Sequence, residues 1–398
     1  ELKLRASYGQ TGNQEGIRLY DYIQLLKFRD DGWGTKLIYP FGNGSQSQAM
    51  GLDVLAGVDR TWEILENVNV GVDAAFLDSR LGFSFDYFVK MNNNMLIPVT
   101  YPSMLGAEAP YSNSGKLRTN GFELTLNWTD KIGNVEYSAQ FQLTDAVNKL
   151  VEYGGADTYK LGLNETREGY PMNSYFAYVY DGVIKDQADL DAYKKLEGVP
   201  SNIGIGDAKF KDLNGDGKIS TYGDKDGDDG DAEYVGSTTP RYSFGLNLGA
   251  KWNNFDISVF FQGVAKRTLF REGDFAMPWS DWWRYPPQFY YGQTWNEDRP
   301  DAYYPRLTHG EIRHWNYQAS TLQKINAAYI RLKNIQIGYT LPKGALQKLG
   351  IERTRFYVSG QDLFEIHNVK GGWDPESDKA GFNYPFQRYY SFGIDLTF

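Results

Sequence analysis

A chain of 398 residues with 41 Lys+Arg against 50 Asp+Glu carries a net charge of −9 and no cysteine, which removes disulfide scaffolds, thiolate metal sites and cysteine nucleophiles. The acidic balance argues against a nucleic-acid binder, which needs a basic face to replace counterions at phosphates. No apolar run approaches the roughly 18 residues of a membrane-spanning helix, yet 30 Tyr, 23 Phe, 10 Trp and 43 Gly leave a β-barrel open, because barrels are hydrophilic on average.

The opening ELKLRASYGQ has no Met, no basic n-region and no apolar h-region, and it reads as the interior of a longer polypeptide. A first strand over 1–9 is followed by a long loop over 10–61. Strand 62–76 then carries Val68, Val70, Val72, Ala74 and Phe76 on one face, and strand 81–91 carries Leu81, Phe83, Phe85, Tyr87 and Val89. After a loop over 93–118, strand 119–128 aligns Phe122, Leu124, Leu126 and Trp128, and strand 134–148 aligns Val135, Tyr137, Ala139, Phe141 and Leu143. A loop over 149–239 precedes strand 240–252, where Tyr242, Phe244, Leu246, Leu248, Ala250 and Trp252 alternate with Arg241, Ser243, Gly245, Asn247, Gly249 and Lys251. Strands 254–266, 328–340, 353–364 and 389–398 complete the series, separated by loops over 267–327 and 365–388. The last strand aligns Tyr390, Phe392, Ile394, Leu396 and Phe398.

Such alternation over about twelve residues outlasts the ~5–6 of a typical soluble strand and suits a tilted transmembrane strand of ~9–11. Tight connections at Leu77–Arg80, Thr129–Gly133, Trp252–Asn254 and Pro342–Glu352 alternate with the long loops. Short periplasmic turns alternating with long extracellular loops are the habit of an outer-membrane barrel. The segment 175–183 is locally strand-like, but as a span it would invert everything after it, so it belongs to the extracellular loop or pairs with a neighbour there. The expectation is an all-β, transmembrane antiparallel barrel with about ten strands in this chain. Two long apolar edges cannot stay open in a bilayer, so the first and last strands are expected to pair with strands outside this chain.

The phrases LKLRASYGQTGN, RTWEILENVNVGVDAAF, NSGKLRTNGFELTLNW, KDLNGDGKIS, TWNEDRPDAYYPRL, YIRLKNIQIGYTLP, RFYVSGQDLFEI and FGIDLTF together resemble the C-terminal barrel of SusC-like (SusC/RagA-type) TonB-dependent outer-membrane transporters, in order and over essentially the whole chain. The resemblance implies that residues 1–398 are the C-terminal part of a plugged barrel of about 22 strands. It further implies that this barrel imports oligosaccharides or peptides, with a SusD-like surface lipoprotein as lid and TonB as the energy source. The N-terminal plug and the TonB-contacting segment are not among these residues. Polar strand positions such as Gln140, Arg241, Asn247, Lys251, Asp256 and Asp395 would line the lumen or meet the plug.

Three local features are candidate sites. In DLNGDGKIS, within the 149–239 loop, Asp212, Asn214 and Asp216 take positions 1, 3 and 5 of a Ca²⁺ loop, Lys218 offers its carbonyl and Ser220 stands at position 9. Position 12 is Gly223 instead of Glu, with Asp224 one residue late, so a solvated acidic turn without metal is the competing reading. In the 267–327 loop, Trp279, Trp282, Trp283, Tyr285, Phe289, Tyr290, Tyr291 and Trp295 crowd together, either as a platform for sugar rings or a partner, or as an internally packed loop. Phe398, a C-terminal aromatic on an amphipathic strand, resembles the signal read by the barrel-insertion machinery. The three histidines, His309, His314 and His367, form no HExxH, and neither GxSxG nor a phosphate loop occurs, so no enzyme is expected. A passive porin, or a secreted calcium-dependent carbohydrate-binding β-protein, are the alternatives.

Overall fold

The computed structural model describes the chain apart from residues 18, 21, 29–37, 43, 45, 53, 58, 99–103, 105–109, 155–161, 222–229, 279–285, 343–349, 372 and 378–385. Ten strands form one antiparallel sheet in simple chain order: β1 (Leu2–Asn13), β2 (Glu63–Phe76), β3 (Leu81–Pro98), β4 (Tyr111–Ile132), β5 (Val135–Tyr153), β6 (Arg241–Trp252), β7 (Phe255–Lys266), β8 (Tyr329–Thr340), β9 (Arg353–His367) and β10 (Tyr389–Thr397). The expected strands are all present. β3, β4 and β5 run to 18, 22 and 19 residues, well past the ~9–11 that cross a bilayer. Their extra length lies at the long-loop end, so much of the loop expected over 93–118 is strand.

Register explains why the wall holds. Leu2, Ala74, Phe83, Leu126, Phe141, Leu246, Phe261, Leu332 and Phe364 are successive cross-strand partners, a single apolar row through β1 to β9. One residue along, the row reads Lys3, Asp73, Ser84, Thr125, Gln142, Gly245, Gln262, Arg331 and Glu365. A period of two turns these rows to opposite faces, so one surface of the sheet is dry and the other wet. A slip of one residue in any pair would carry charges into lipid. Two-residue turns at Gly133–Asn134 and Asn253–Asn254 close β4 to β5 and β6 to β7, with Gly133 and Asn253 in the left-handed region that tight hairpins require.

Charges on the wet face gather near the short-turn end. Arg5 bridges Asp73 and Asp86, each at 2.8 Å, and Lys131 meets Glu136 at 3.0 Å. Arg355 reaches Asp256 at 2.6 Å and Asp395 at 3.2 Å. That reach crosses Gly338, where a Cβ would lie 2.6 Å from the guanidinium carbon, so only glycine lets the arginine pass. Between the charged ends lies an amide row, Asn127, Gln140, Asn247 and Asn334, interrupted only by Phe260. Lys251, Asp256 and Asp395 thus share the wet face with Gln140 and Asn247, as expected. Arg241 sits at the opposite, long-loop end in a bidentate pair with Asp145.

Among the described residues β1 and β10 each have one neighbour and are not paired with each other. Each therefore presents a row of backbone donors and acceptors that a bilayer does not satisfy.

Candidate functional site

Three of the long loops, over 149–239, 267–327 and 365–388, do not lie separately over the strand ends. They fold together into one body with its own cores. The expected loop segment 175–183 splits in two: Ser174–Tyr178 pairs with Gly162–Glu165 and Ala232–Ser237, and Tyr180–Val183 pairs with Ala208–Phe210. Neither joins the wall, as parity required. Thr268–Phe270 and Lys324–Asn326 continue the β7–β8 hairpin outward. Helix α1 (Gln187–Tyr193) starts at Asp186, whose carboxylate accepts the Asp189 N–H, and buries Leu190 and Tyr193. Helix α2 (Gly310–Asn316) comes from the next loop and buries Ile312 and Asn316.

Ile312 is what joins them. It packs into a core otherwise made by the earlier loop, with Tyr178, Ile184, Leu190, Tyr193, Ile203, Phe210 and Ile219. A second core gathers Leu269, Ile325 and Ala327 with Val369 and Trp373 from the last loop, flanked by Phe275 and Phe289. Three loops far apart in sequence therefore share buried apolar surface, each completing what the others cannot bury alone.

Polar ties fix their alignment. Asp207, with no solvent exposure, accepts Arg306 Nε at 2.7 Å and Nη2 at 2.8 Å, the Gly204 N–H at 2.7 Å and Asn316 Nδ2 at 2.9 Å. Asn316 in turn accepts the Ala208 N–H at 2.8 Å. The Asp207 carboxylate holds the Arg306 guanidinium above its ordinary pKa. Lower down, the last loop grips the wall. Arg331 of β8 is almost fully buried and pairs with Asp374 at 2.5 Å and Glu376 at 3.0 Å, while Lys333 takes Glu376 at 3.1 Å and Asp362 at 2.9 Å. The Phe386 ring covers both cations, 4.2 Å from Arg331 and 5.3 Å from Lys333. None of these partners was legible in the sequence. The only hint was the isolated charge in apolar context at GIGDAKF and GGWDPES.

Of the aromatic candidates, Trp279, Trp282, Trp283 and Tyr285 lie outside the described residues. Tyr290 is a core residue and not a surface platform. It is 2% exposed, edge-to-face with Tyr304 and Tyr317 at 4.7 and 5.9 Å, and its hydroxyl donates to the Phe275 carbonyl. Burial pushes the Tyr290 and Tyr317 phenols up, so both stay neutral. Trp295 is half-buried, its ring laid against Gly206 and its backbone N–H donating to the Tyr304 carbonyl at 2.8 Å. Among the described candidates, only Tyr291 stands free, 90% exposed.

The acidic loop is wound as a set of Asx turns. Asp212 accepts the Gly215 and Gly217 N–H groups at 2.7 and 2.9 Å, Asn214 accepts Asp216 N–H at 3.2 Å, and Asp216 accepts Lys218 N–H at 2.8 Å. Beneath it the fully buried Asp231 accepts the Leu213 and Ser220 N–H groups, at 2.7 and 2.8 Å. Burial raises the Asp231 pKa, and the charges of Asp212 and Asp216 add to the rise. The oxygen donors suit a hard cation in kind. Gly223 and Asp224 lie outside the described residues, and among those described no three His, Cys, Asp or Glu side chains are placed to hold a metal. Phe398 follows β10 directly and is exposed.

Comparison with known proteins then supplies a context. No protein-family model matches the chain. It is 27% identical over 430 residues to TonB-dependent receptor P3 of Formosa agariphila, covering all of this chain and 39% of that protein. To TonB-dependent receptor P26 of the same organism it is 26% identical, covering 100% and 40%. The chain thus spans about two fifths of the length of the curated relatives it matches. Among solved structures, that of the RagAB peptide transporter superposes with a TM-score of 0.74 at 22% identity, covering the whole chain and 41% of that one. The RagAB peptide importer in its closed-closed state gives 0.73 at 24% identity. The resemblance to SusC/RagA-type TonB-dependent receptors drawn from the motifs extends over the full chain, and the ten strands share the fold of a section of the solved outer-membrane transporter.

Proposed function

We propose that this chain is the C-terminal part of the barrel of an outer-membrane receptor that imports oligomeric nutrients with energy from TonB. The observation that carries the reading is the register, which sets one unbroken apolar row beside one polar row across nine strands. A wall dry outside and wet inside suits a lipid-embedded barrel and gives a secreted soluble protein no advantage. The open edges of β1 and β10 pair with the remaining strands, and the charged lower girdle and amide row of the wet face meet an N-terminal plug. The cross-tied loop body forms a stiff roof at the outer mouth, suited to seating a SusD-like lipoprotein. Cargo is a peptide or a glycan, and the names of the solved relatives favour the peptide. A passive porin has no use for such a roof. The chain's role is transport by conformational change and not catalysis.

The test is purification of the receptor with whatever accompanies it from the outer membrane. A detergent-dependent complex containing a surface lipoprotein and bound oligomers supports the reading. A protein that stays monodisperse in water without detergent overturns it. Within the roof, the exposed Tyr291, together with Trp279, Trp282, Trp283, Tyr285 and the half-buried Trp295, contacts cargo or lid. Unaltered uptake and partner binding after replacing Trp282 and Trp283 by Ala would remove that assignment. Asp212, Asn214, Asp216, the Lys218 carbonyl and Ser220 hold Ca²⁺, which would neutralise the crowding felt by Asp231. Titrating Ca²⁺ into chelator-treated protein is expected to raise loop protection, and no change on EGTA treatment would sink the assignment. Phe398 serves assembly, so its deletion should lower insertion into the outer membrane while leaving the secreted chain intact.

A further inference from the structure

We propose that the cavity where the loop body meets the wall binds a tetrahedral oxyanion, a phosphate or sulfate group. The cavity, about 280 Å³, lies between the outer ends of β5, β6 and β7 and the roots of the strands Ala232–Ser237 and Lys324–Asn326. That volume holds several waters at about 30 Å³ each, or one such anion with part of its hydration.

Its lining is the reason for the assignment. Arg241, Lys266, Arg267 and Lys324 all border it, and among the described residues no Asp or Glu does, in a chain whose acidic residues outnumber its basic ones by 50 to 41. Topology brings them together. Arg241 and Lys266 are register partners on β6 and β7, and Lys324 faces Phe270 in the outward hairpin that Arg267 opens. Arg241 is held by Asp145 just outside the cavity. Lys266 and Lys324 are exposed and enter no ion pair among the described residues. Arg267 is only 9% exposed, and its Nη1 donates to the Pro375 carbonyl at 2.8 Å, which orients the guanidinium. The hydroxyls of Ser237, Thr239 and Thr268 and the backbone of Gly236 add neutral polar groups to the same walls.

Lys266 and Lys324, brought up to one space beside the Arg241 and Arg267 guanidinium groups, repel one another, and an anion at the centre turns that repulsion into attraction. Multiple Lys and Arg donors with hydroxyls match the several acceptor oxygens of a tetrahedral anion better than a single carboxylate. The site lies at the long-loop ends of the strands, where anions in solution reach it, and headgroup phosphates reach it too if the wall leaves the bilayer at that level. The chemistry is the same from either source. The site stands on the cavity alone and does not depend on the transport reading.

The experiment uses detergent-purified protein and its K266Q/K324Q variant, titrated calorimetrically with inorganic phosphate and with sulfate at constant ionic strength. Saturable binding that weakens about tenfold or more in the variant is expected, as two charge-assisted contacts are removed. A control, K185Q/K195Q, removes the same charge from the loop body away from the cavity and should bind as the parent does. A second arm compares nanodiscs of phosphatidylcholine with and without phosphatidic acid, reading thermal unfolding. Stabilisation there, lost in K266Q/K324Q, identifies a lipid source, and calorimetric binding in detergent identifies a soluble one. Absence of both effects, or equal effects in the parent and K266Q/K324Q, overturns the proposal.

Discussion

Replacing Asp207 by Asn should loosen the loop body while sparing the wall. The carboxylate has no exposure and takes four hydrogen bonds, two of them from Arg306. In the amide, one oxygen still accepts from Arg306 Nε and Asn316, but an NH₂ group replaces the other and faces the Gly204 N–H and Arg306 Nη2. Two acceptor contacts are lost, both of them made to the ionised carboxylate, and hydrogen bonds to charged groups contribute about 1.5–3 kcal/mol each. The half-buried Gly204 donor, left without its carboxylate, adds at most about 1 kcal/mol, since water can reach it. Arg306, with a side chain 36% exposed, recovers part of its loss by turning to water. The balance is a destabilisation of about 3 kcal/mol, which accelerates amide exchange limited by opening of the loop body about a hundredfold. Hydrogen-exchange mass spectrometry of peptides covering 204–208 and 304–317 reads it directly, with β3 to β6 as internal reference. A companion R306K should lose less, since lysine keeps the charge but not the two-pronged geometry. Unchanged protection in D207N, or equal loss in the wall, would refute the view that this residue rivets two loops.

Other consequences follow from the same body and its wall. Gly206→Ala puts a Cβ into the Trp295 ring at a φ of +86°, and should destabilise the loop body by about 2–4 kcal/mol, seen as faster limited proteolysis between 200 and 310. Because burial raises the Asp231 pKa, the metal-free folded loop binds that proton more tightly than the unfolded chain. Its contribution is therefore complete below the ordinary value of 3.8 and is lost as pH rises through the raised one, so amide protection at Leu213 and Ser220, corrected for intrinsic rates, should increase on acidification and lose that dependence in D231N. On the wall, Leu246→Arg sets a charge in the apolar row and should cost about 2–4 kcal/mol near the bilayer midplane, lowering the yield of heat-modifiable barrel. Asn247→Arg, one residue along on the wet face, should leave that yield nearly unchanged.

The wall was legible in the sequence because its signal is local. Lipid on one side and water on the other sort residues two apart, so Tyr242 to Trp252 announce their faces without reference to any other segment. The alternation of tight turns and long loops then fixed strand order, and parity excluded 175–183 from the wall. The Asx loop was legible for the same reason, its side chains falling within nine residues of chain. Tertiary structure alone decided what the loops do. Asp207 meets Arg306 and Asn316 across 99 and 109 residues, Arg331 meets Asp374 across 43, and Ile312 completes a core built by another loop. No periodicity links such partners. They are selected by which buried charge needs which counter-charge, and that need exists only after the chain has closed around them. Tyr290 shows the same limit: an aromatic in a polar loop looks like a surface platform until Tyr304 and Tyr317 are seen to enclose it.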